Sequence, residues 1–497
     1  LGCIGGTTKS SRMLSLKRAT TRWTTSGIFA IPSCVIWDGK QMIGGDFMIS
    51  YADIEAALNI KTAISPLMRG YIAQWETLFS GNSESQEQKD GLHLAAAICT
   101  EFARLIFAES KIEIAGNSKT ANYLQAMIDN HLPALQTGFS AGLASGGMVI
   151  KPYFANGGVS LEWVPVQRIF PIAFTSDQSM QSAVFADTFR SGEDWYTRLE
   201  CHGYDSNKKQ CIIQNYTYHA YDADTLGSPC ELSETPWAGL EPLVNVQSET
   251  PLFGFFRVPK PNSKDPTSAL GVSVFADALP QIVQADKLWS EILWEYESKE
   301  TAVFATQDIF NRFDRLSAHD KRLYKKMLSI GDDDSDKIMP YSPEIRDASF
   351  FNGLNKILQR IEFSCQLAYG TLSEPAEVAK TATEIESSKQ RSYVFVSALQ
   401  KQTEFALRRA IAAAAALAFY HGVIPSAEFE IAFDWGDSVL EDVNAKTQRE
   451  LQFVQAGILK PEIFLSSYYG CSEEEAKKML PDAGSPEDYS LFGVGGR

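Results

Sequence analysis

The chain has no apolar run long enough to cross a bilayer: the longest uninterrupted one, 410–420, falls short of the ~18 residues a spanning helix needs. Cysteine is sparse as well. Eight are scattered over 497 residues, at 3, 34, 99, 201, 211, 230, 365 and 471, with no CxxC pair, which excludes a disulfide framework and suits reduced thiols. Histidine numbers only six, so a His-based relay or zinc site has little to draw on. Positive charge is also in deficit: 45 Lys and Arg against 61 Asp and Glu leave a net charge of −16, which opposes a tight, non-specific grip on nucleic acid.

One segment reverses that balance. Lys9, Arg12, Lys17, Arg18 and Arg22 precede the first acid, Asp38, and the apolar stretch 27–37 is broken by Pro32, so residues 1–45 read as a basic arm and not as a signal peptide. The length exceeds what a single core usually serves, so more than one domain is expected. Hydrophobic content of 44% and aromatic content of 11% are those of a folded chain.

From 50 to 145 the apolar residues recur at helical spacing. Ile64, Met68, Ile72, Trp75 and Phe79 share one face, 94–107 repeats the pattern, and polar loops at 81–85 and 115–119 punctuate it. From 146 to 261 the pattern shifts to short alternating or aromatic-rich runs at 148–154, 159–164, 195–202, 210–221 and 243–246. These read as a β-rich domain, mostly antiparallel because the connections are short.

Three long helical patterns follow. In 274–297, Ala278, Ile282, Ala285, Trp289, Ile292, Leu293 and Tyr296 form one stripe; in 348–371, Phe351, Leu354, Ile357, Leu358, Ile361, Cys365 and Ala368 do the same. The insert between them, 301–346, carries a strand-like AVFAT, a basic helix at 321–327 and an acidic loop at 332–336. Residues 382–421 contain neither proline nor glycine and are rich in alanine, which predicts one helix of about 60 Å. Gly422 and Pro425 stop it, a lone strand follows at 428–435, and a short acidic helical region closes the chain with Ser472 as an N-cap. The fold class is therefore α+β.

Several stretches carry a family likeness. They are GGMVIKPYF at 146–154 with WVPVQRIFP at 163–171, FRVPKPN at 256–262 leading to LGVSVFADALPQI at 270–282, WEYESKETAVFAT at 294–306, and YGTLSEPAEVAKTATEIESSKQRSY at 369–393. In this order, over about 50–435, the chain resembles the portal proteins of tailed bacteriophages, the head-to-tail connectors, particularly those of siphophages with Gram-positive hosts. The resemblance implies a structural protein with no enzymatic activity and no cofactor. It would form a ring, a dodecamer in assembled particles, at the capsid vertex of the virion, after assembly in the host cytoplasm.

Carried onto this chain, the portal fold places a helical and β wing at 46–271, helical over 50–145 and β-rich over 146–261. The stem helices fall at 272–300 and 347–372, the small α/β clip at 301–346 and the channel loop at 373–381. The long wing helix and strand take 382–436 and the crown 437–497. Implied partners are other copies of the chain, the major capsid protein, the terminase, neck or adaptor proteins at the clip, and double-stranded DNA passing through the channel, with no membrane involved. Lys380, Lys389 and Arg391 would be the residues nearest DNA, or would pair between subunits with Glu377, Glu384 or Glu386. Lys321, Arg322, Lys325 and Lys326 would be either a solvated face or a contact for DNA or an acidic partner. Trp289, Ile292, Tyr296, Leu354 and Ile361 would pack the stem, because a ring supplies each amphipathic helix with neighbours.

Other readings have less behind them. The 2–10 stretch GCIGGTTKS lacks the glycine that should precede Lys9 in a phosphate loop. Asp332, Asp333, Asp334 and Asp336 suit a hard cation or a solvated loop, without the EF-hand glycine and closing glutamate. Cys201, His202, Cys211, His219 and Cys230 follow no zinc-finger spacing and read as strand residues, and no metal site is expected. His93, His131 and His421 stand in no catalytic context. The rival functions are another ring component of a phage-like particle, or a nucleic-acid enzyme using a metal at 332–336.

Overall fold

A computed structural model of the chain describes residues 49–81, 91–116, 118–299, 302–305, 324–326, 338–341, 344–374, 382–436, 443–469 and 471–480. The first helices are set by their caps. Ser50 and Ser65 accept backbone N–H groups at the starts of α1 (Tyr51–Leu58) and α2 (Pro66–Ser80), and Ser118 does so for α4 (Lys119–Ser145). Together with α3 (Leu94–Phe107), these helices bury Met68, Trp75, Ile98, Phe102 and Phe139 in a single core.

The expectation of helices throughout 50–145 needs one correction. Lys111–Ala115 is a strand, β1, whose Ile112 and Ile114 are buried while their neighbours are exposed. Its partner lies some three hundred residues later. The lone strand anticipated at 428–435 is β14 (Glu430–Asp434), and it pairs antiparallel with β1. An alternating five-residue run inside a helical region gives little signal until its partner is known.

Two antiparallel sheets make the β-rich region. The smaller joins β2 (Gly147–Ala155) to β3 (Gly158–Pro165) on one side and to β10 (Gly254–Arg257) on the other. The larger runs β4 (Ile169–Phe174), β5 (Met180–Ser191), β6 (Asp194–Asp205), β7 (Gln210–Ala220) and β8 (Ser228–Cys230), with β9 (Leu243–Gln247) also paired to β7. β4, β5, β8 and β10 were not among the runs picked out from the sequence. One face of the larger sheet packs Val184, Ala186, Leu199 and Tyr218 against Ile49 and Ile54 at the start of the described chain.

The long helix is present as expected, as α7 (Ala382–Tyr420), and its small residues Ala406, Ala410, Ala413 and Ala414 are completely buried. Glycine meets it from the sheet: a Cβ on Gly254 would stand 1.8 Å from the Ala406 carbonyl oxygen, so β10 lies against the helix only because that side chain is missing. The two preceding amphipathic patterns are α5 (Leu279–Ser298) and α6 (Asp347–Cys365), which pack on each other, both shorter than their apolar periodicity suggested.

Between α5 and α6, β11 (Ala302–Ala305) is the strand anticipated at AVFAT. It pairs parallel with β12 (Tyr324–Lys326) and antiparallel with β13 (Ile338–Tyr341). The basic helix expected over 321–327 is thus corrected to a strand across 324–326. Backbone pairing with β11 outweighs the local helical preference of its lysines. After β14 come α8 (Val443–Gln455), α9 (Pro461–Tyr469) and α10 (Glu473–Met479), the last opening with the N-cap anticipated at Ser472. No described helix is long and apolar enough to cross a membrane.

Candidate functional site

The helix pair α5 and α6 and the segments at its ends hold most of the described residues singled out from the sequence. Ile292, Leu354 and Ile361 are buried in the shared core and Trp289 is half-buried against it. Tyr296 belongs to the same stripe but lies 39% exposed, with Leu293 also exposed beside it; Trp294, on another face, is 67% exposed. The stripe therefore outruns the partner that the described residues provide.

At the far end of α5, Glu295 joins the two ends of the insert. Its carboxylate accepts from Arg346 Nε at 3.2 Å and Nη2 at 2.9 Å, and pairs with Lys299 Nζ at 3.2 Å, while Lys299 donates to the Glu344 carbonyl at 3.0 Å. Chiefly through the Arg346 hydrogen bonds, the Glu295 carboxyl is held down at about 2. A forked guanidinium on a carboxylate fixes direction as well as distance, so the insert leaves the helix pair from a defined base.

The other end of the pair is fixed by Glu362, whose side chain is buried in α6. Oε1 accepts the backbone N–H groups of Gly370, Leu372 and Ser373 at 3.1, 2.7 and 2.8 Å, and Oε2 accepts the Ser373 hydroxyl at 2.8 Å. Asn355 adds a hydrogen bond from the Glu374 N–H at 2.9 Å. Five donors on two side chains thereby set where the segment 373–381 begins.

Beyond it, Arg391 lies half-buried on α7 with its guanidinium 4.7 Å from the Phe363 ring centre and 5.4 Å from that of Tyr369. Lys389 is exposed, one turn before the buried Ser392 and two before the buried Val396. Lys380 lies outside the described residues, as do Glu377, Lys321, Arg322, the aspartates at 332–336 and the 2–10 stretch. Lys325 and Lys326 are residues of β12.

The remaining candidates do not converge. His93 caps α3 in a left-handed conformation, the His131 ring contacts the Met127 carbonyl, and His421 stacks on Phe154 with ring centres 3.9 Å apart. Burial raises the thiols of Cys201 to about 12 and Cys211 to about 11, so they remain protonated near neutral pH. Among the described residues, no group of three or more His, Cys, Asp or Glu is placed to hold a metal.

Sequence reading missed a buried charge network that ties the two sheets together. Lys151 on β2 meets Glu200 on β6 at 2.6 Å and Glu162 on β3 at 3.4 Å; Arg198 bonds Glu200 at 2.9 Å and also Asp187; Arg168 reaches Glu162 and Asp187. The His202 ring bonds Glu200 at 2.7 Å, and burial lowers its pKa, so it is neutral at pH 7. Three cations thus face three carboxylates. Burial alone would raise the Glu200 carboxyl, but Lys151 and Arg198 overrule it and hold the group well below its ordinary range. The available signal was the single charge in the apolar run MVIKPYF and the alternating Arg198, Glu200 and His202 on one strand face.

Compared with known proteins, residues 70–484 match the family model described as phage portal protein, SPP1 Gp6-like. No curated protein matches the chain. The family is a structural one, and the match spans the wing-like sheets, the helix pair with its insert, the long helix and the last helices. This chain belongs to the SPP1 Gp6-like family of phage portal proteins.

Proposed function

We propose that the chain assembles into a closed ring, a dodecamer in the particle, that conducts double-stranded DNA during packaging and ejection at the capsid vertex of a siphophage infecting a Gram-positive host. In this reading residues 46–271 are the wing, 272–300 and 347–372 the stem, 301–346 the clip, 373–381 the channel loop, 382–436 the long wing helix and strand, and 437–497 the crown. The observation that carries the proposal, beside the family match, is the helix pair: Val283, Leu293, Trp294 and Tyr296 are exposed on a helix whose Ile282, Ala285 and Ile292 are buried. A neighbouring copy covers such a surface in a ring, and a monomer leaves it wet.

The clip, with Lys321, Arg322, Lys325 and Lys326, contacts neck or adaptor proteins, and the terminase docks on the same ring during packaging. Lys380, Lys389 and Arg391 stand nearest the DNA. The chain's net charge of −16 keeps phosphate contacts few, so that DNA slides. Native mass spectrometry with negative-stain class averages tests the proposal: closed rings of about twelve subunits with a central hole are expected. A protein that stays monomeric at high concentration overturns it.

A further inference from the structure

The distal end of the larger sheet carries a surface that the portal reading leaves unused. Phe189, Tyr196 and His219 lie in direct cross-strand register on β5, β6 and β7, so their side chains share one face. The Tyr196 and His219 rings are 5.1 Å apart, and Tyr221, 82% exposed, meets His219 edge-on at 5.0 Å. This aromatic ladder is bordered by acids: Glu193 and Asp194 at the β5–β6 turn, and Asp222 and Asp224 in the loop after β7. On the reverse face of the same turn Arg190 lies over the Trp195 ring at 5.5 Å, one position along in register from the ladder.

We propose that this acidic aromatic tip is the docking site for the chain's own basic segment, residues 9–22. Charge is complementary: Lys9, Arg12, Lys17, Arg18 and Arg22 have no acid among them, and Met13, Leu14 and Leu16 supply apolar groups for the ladder. Connectivity agrees. The described chain begins at Ile49, which shares a core cluster with Tyr218, on the opposite face of the same strands, and with Leu226 in the loop after β7. At about 3.3 Å per residue the chain from Arg22 to Ile49 spans up to ~90 Å, ample to round the sheet edge. A partner rich in phosphate is disfavoured at a surface whose flanking turns carry four carboxylates, of which Asp194 already bonds the His219 ring at 2.8 Å.

Site-specific photo-crosslinking in the full-length protein tests this, with benzoylphenylalanine replacing Tyr221 and products mapped by mass spectrometry. The expected product joins position 221 to residues 9–22. Its yield falls roughly tenfold in a Glu193→Gln, Asp222→Asn, Asp224→Asn background, at unchanged thermal unfolding. The same probe replacing Tyr468, exposed on α9, gives no such product. Crosslinks from 221 only to another part of the chain, only to a co-purifying protein, or to nothing overturn the proposal, as does a yield unaffected by removing the three charges. Both results are readable from a monomer or a ring, so the outcome is independent of the assembly state.

Discussion

The sheets with the helices packed on them and the last three helices solve the same problem in opposite ways. In the first, Trp75, Phe102, Phe139, Phe185, Phe253 and Phe256 are almost completely buried by their own chain, and even its charges are neutralised inside. In α8, α9, α10 and their connections, Ala476 is the buried side chain among the described residues, while Leu451, Phe453, Ile458, Ile463, Tyr468 and Tyr469 are exposed. Both stretches are amphipathic by sequence. The difference teaches that apolar periodicity specifies a face to be covered without specifying which molecule covers it. For the sheets and the helices packed on them the answer is the same chain; for the final helices the ring proposed above offers the next copy.

The comparison breaks most sharply at Lys151. Replacing it with Ala leaves Glu200 and Glu162 buried without their shared cation, which costs about 3–5 kcal/mol. The calorimetric unfolding midpoint should fall by roughly 6–20 °C. Leu451→Ala on α8 should change it by less than about 0.5 kcal/mol equivalent in the dispersed protein, because the described residues leave that side chain 42% exposed. Equal effects at the two positions would mean that the final helices possess a core of their own.

A smaller effect should separate the base of the insert from both regions. The Glu295 carboxyl is held at about 2, against an ordinary 4.5, first by its hydrogen bonds from Arg346. A folded-state pKa below the unfolded one gives stability that is complete above the unfolded value and lost as pH falls through the folded one. The difference in unfolding midpoint between the protein and Arg346→Ala should therefore be constant above about pH 5 and close toward pH 2. A difference that persists unchanged at pH 2 would assign the role of Arg346 to its contact with the Phe350 ring, 5.2 Å away.

How much of this was legible beforehand follows from the range of each interaction. The long helix was anticipated nearly to its ends, α5 and α6 to within about two turns, and so were strands with clean alternation, such as β7. Strands defined by distant partners were not. β1 was hidden in a helical stretch, and β12 looked helical because lysines favour helices locally. The portal likeness itself was readable, through the order of segments. The Glu295 and Glu362 anchors were invisible, since each is an ordinary acid on an amphipathic helix until the loop it holds is placed beside it. The Lys151 network was half visible, as a charge where the strand pattern wanted none.

The weakest lever acts on the final helix alone. The Ser472 hydroxyl accepts the Glu475 N–H at 3.3 Å, and the Glu475 carboxylate accepts the Ser472 N–H at 3.1 Å, closing a capping box on a helix of seven residues. A helix that short has almost no intrinsic stability, so its cap is a large share of what holds it. Ser472→Ala should cost about 1 kcal/mol locally, read as faster amide exchange over 473–479, with the wing's unfolding midpoint unmoved. If the final helices are covered by a neighbouring copy, the same substitution should accelerate exchange much less in assembled rings than in dispersed protein, because packing then supplies what the cap no longer does.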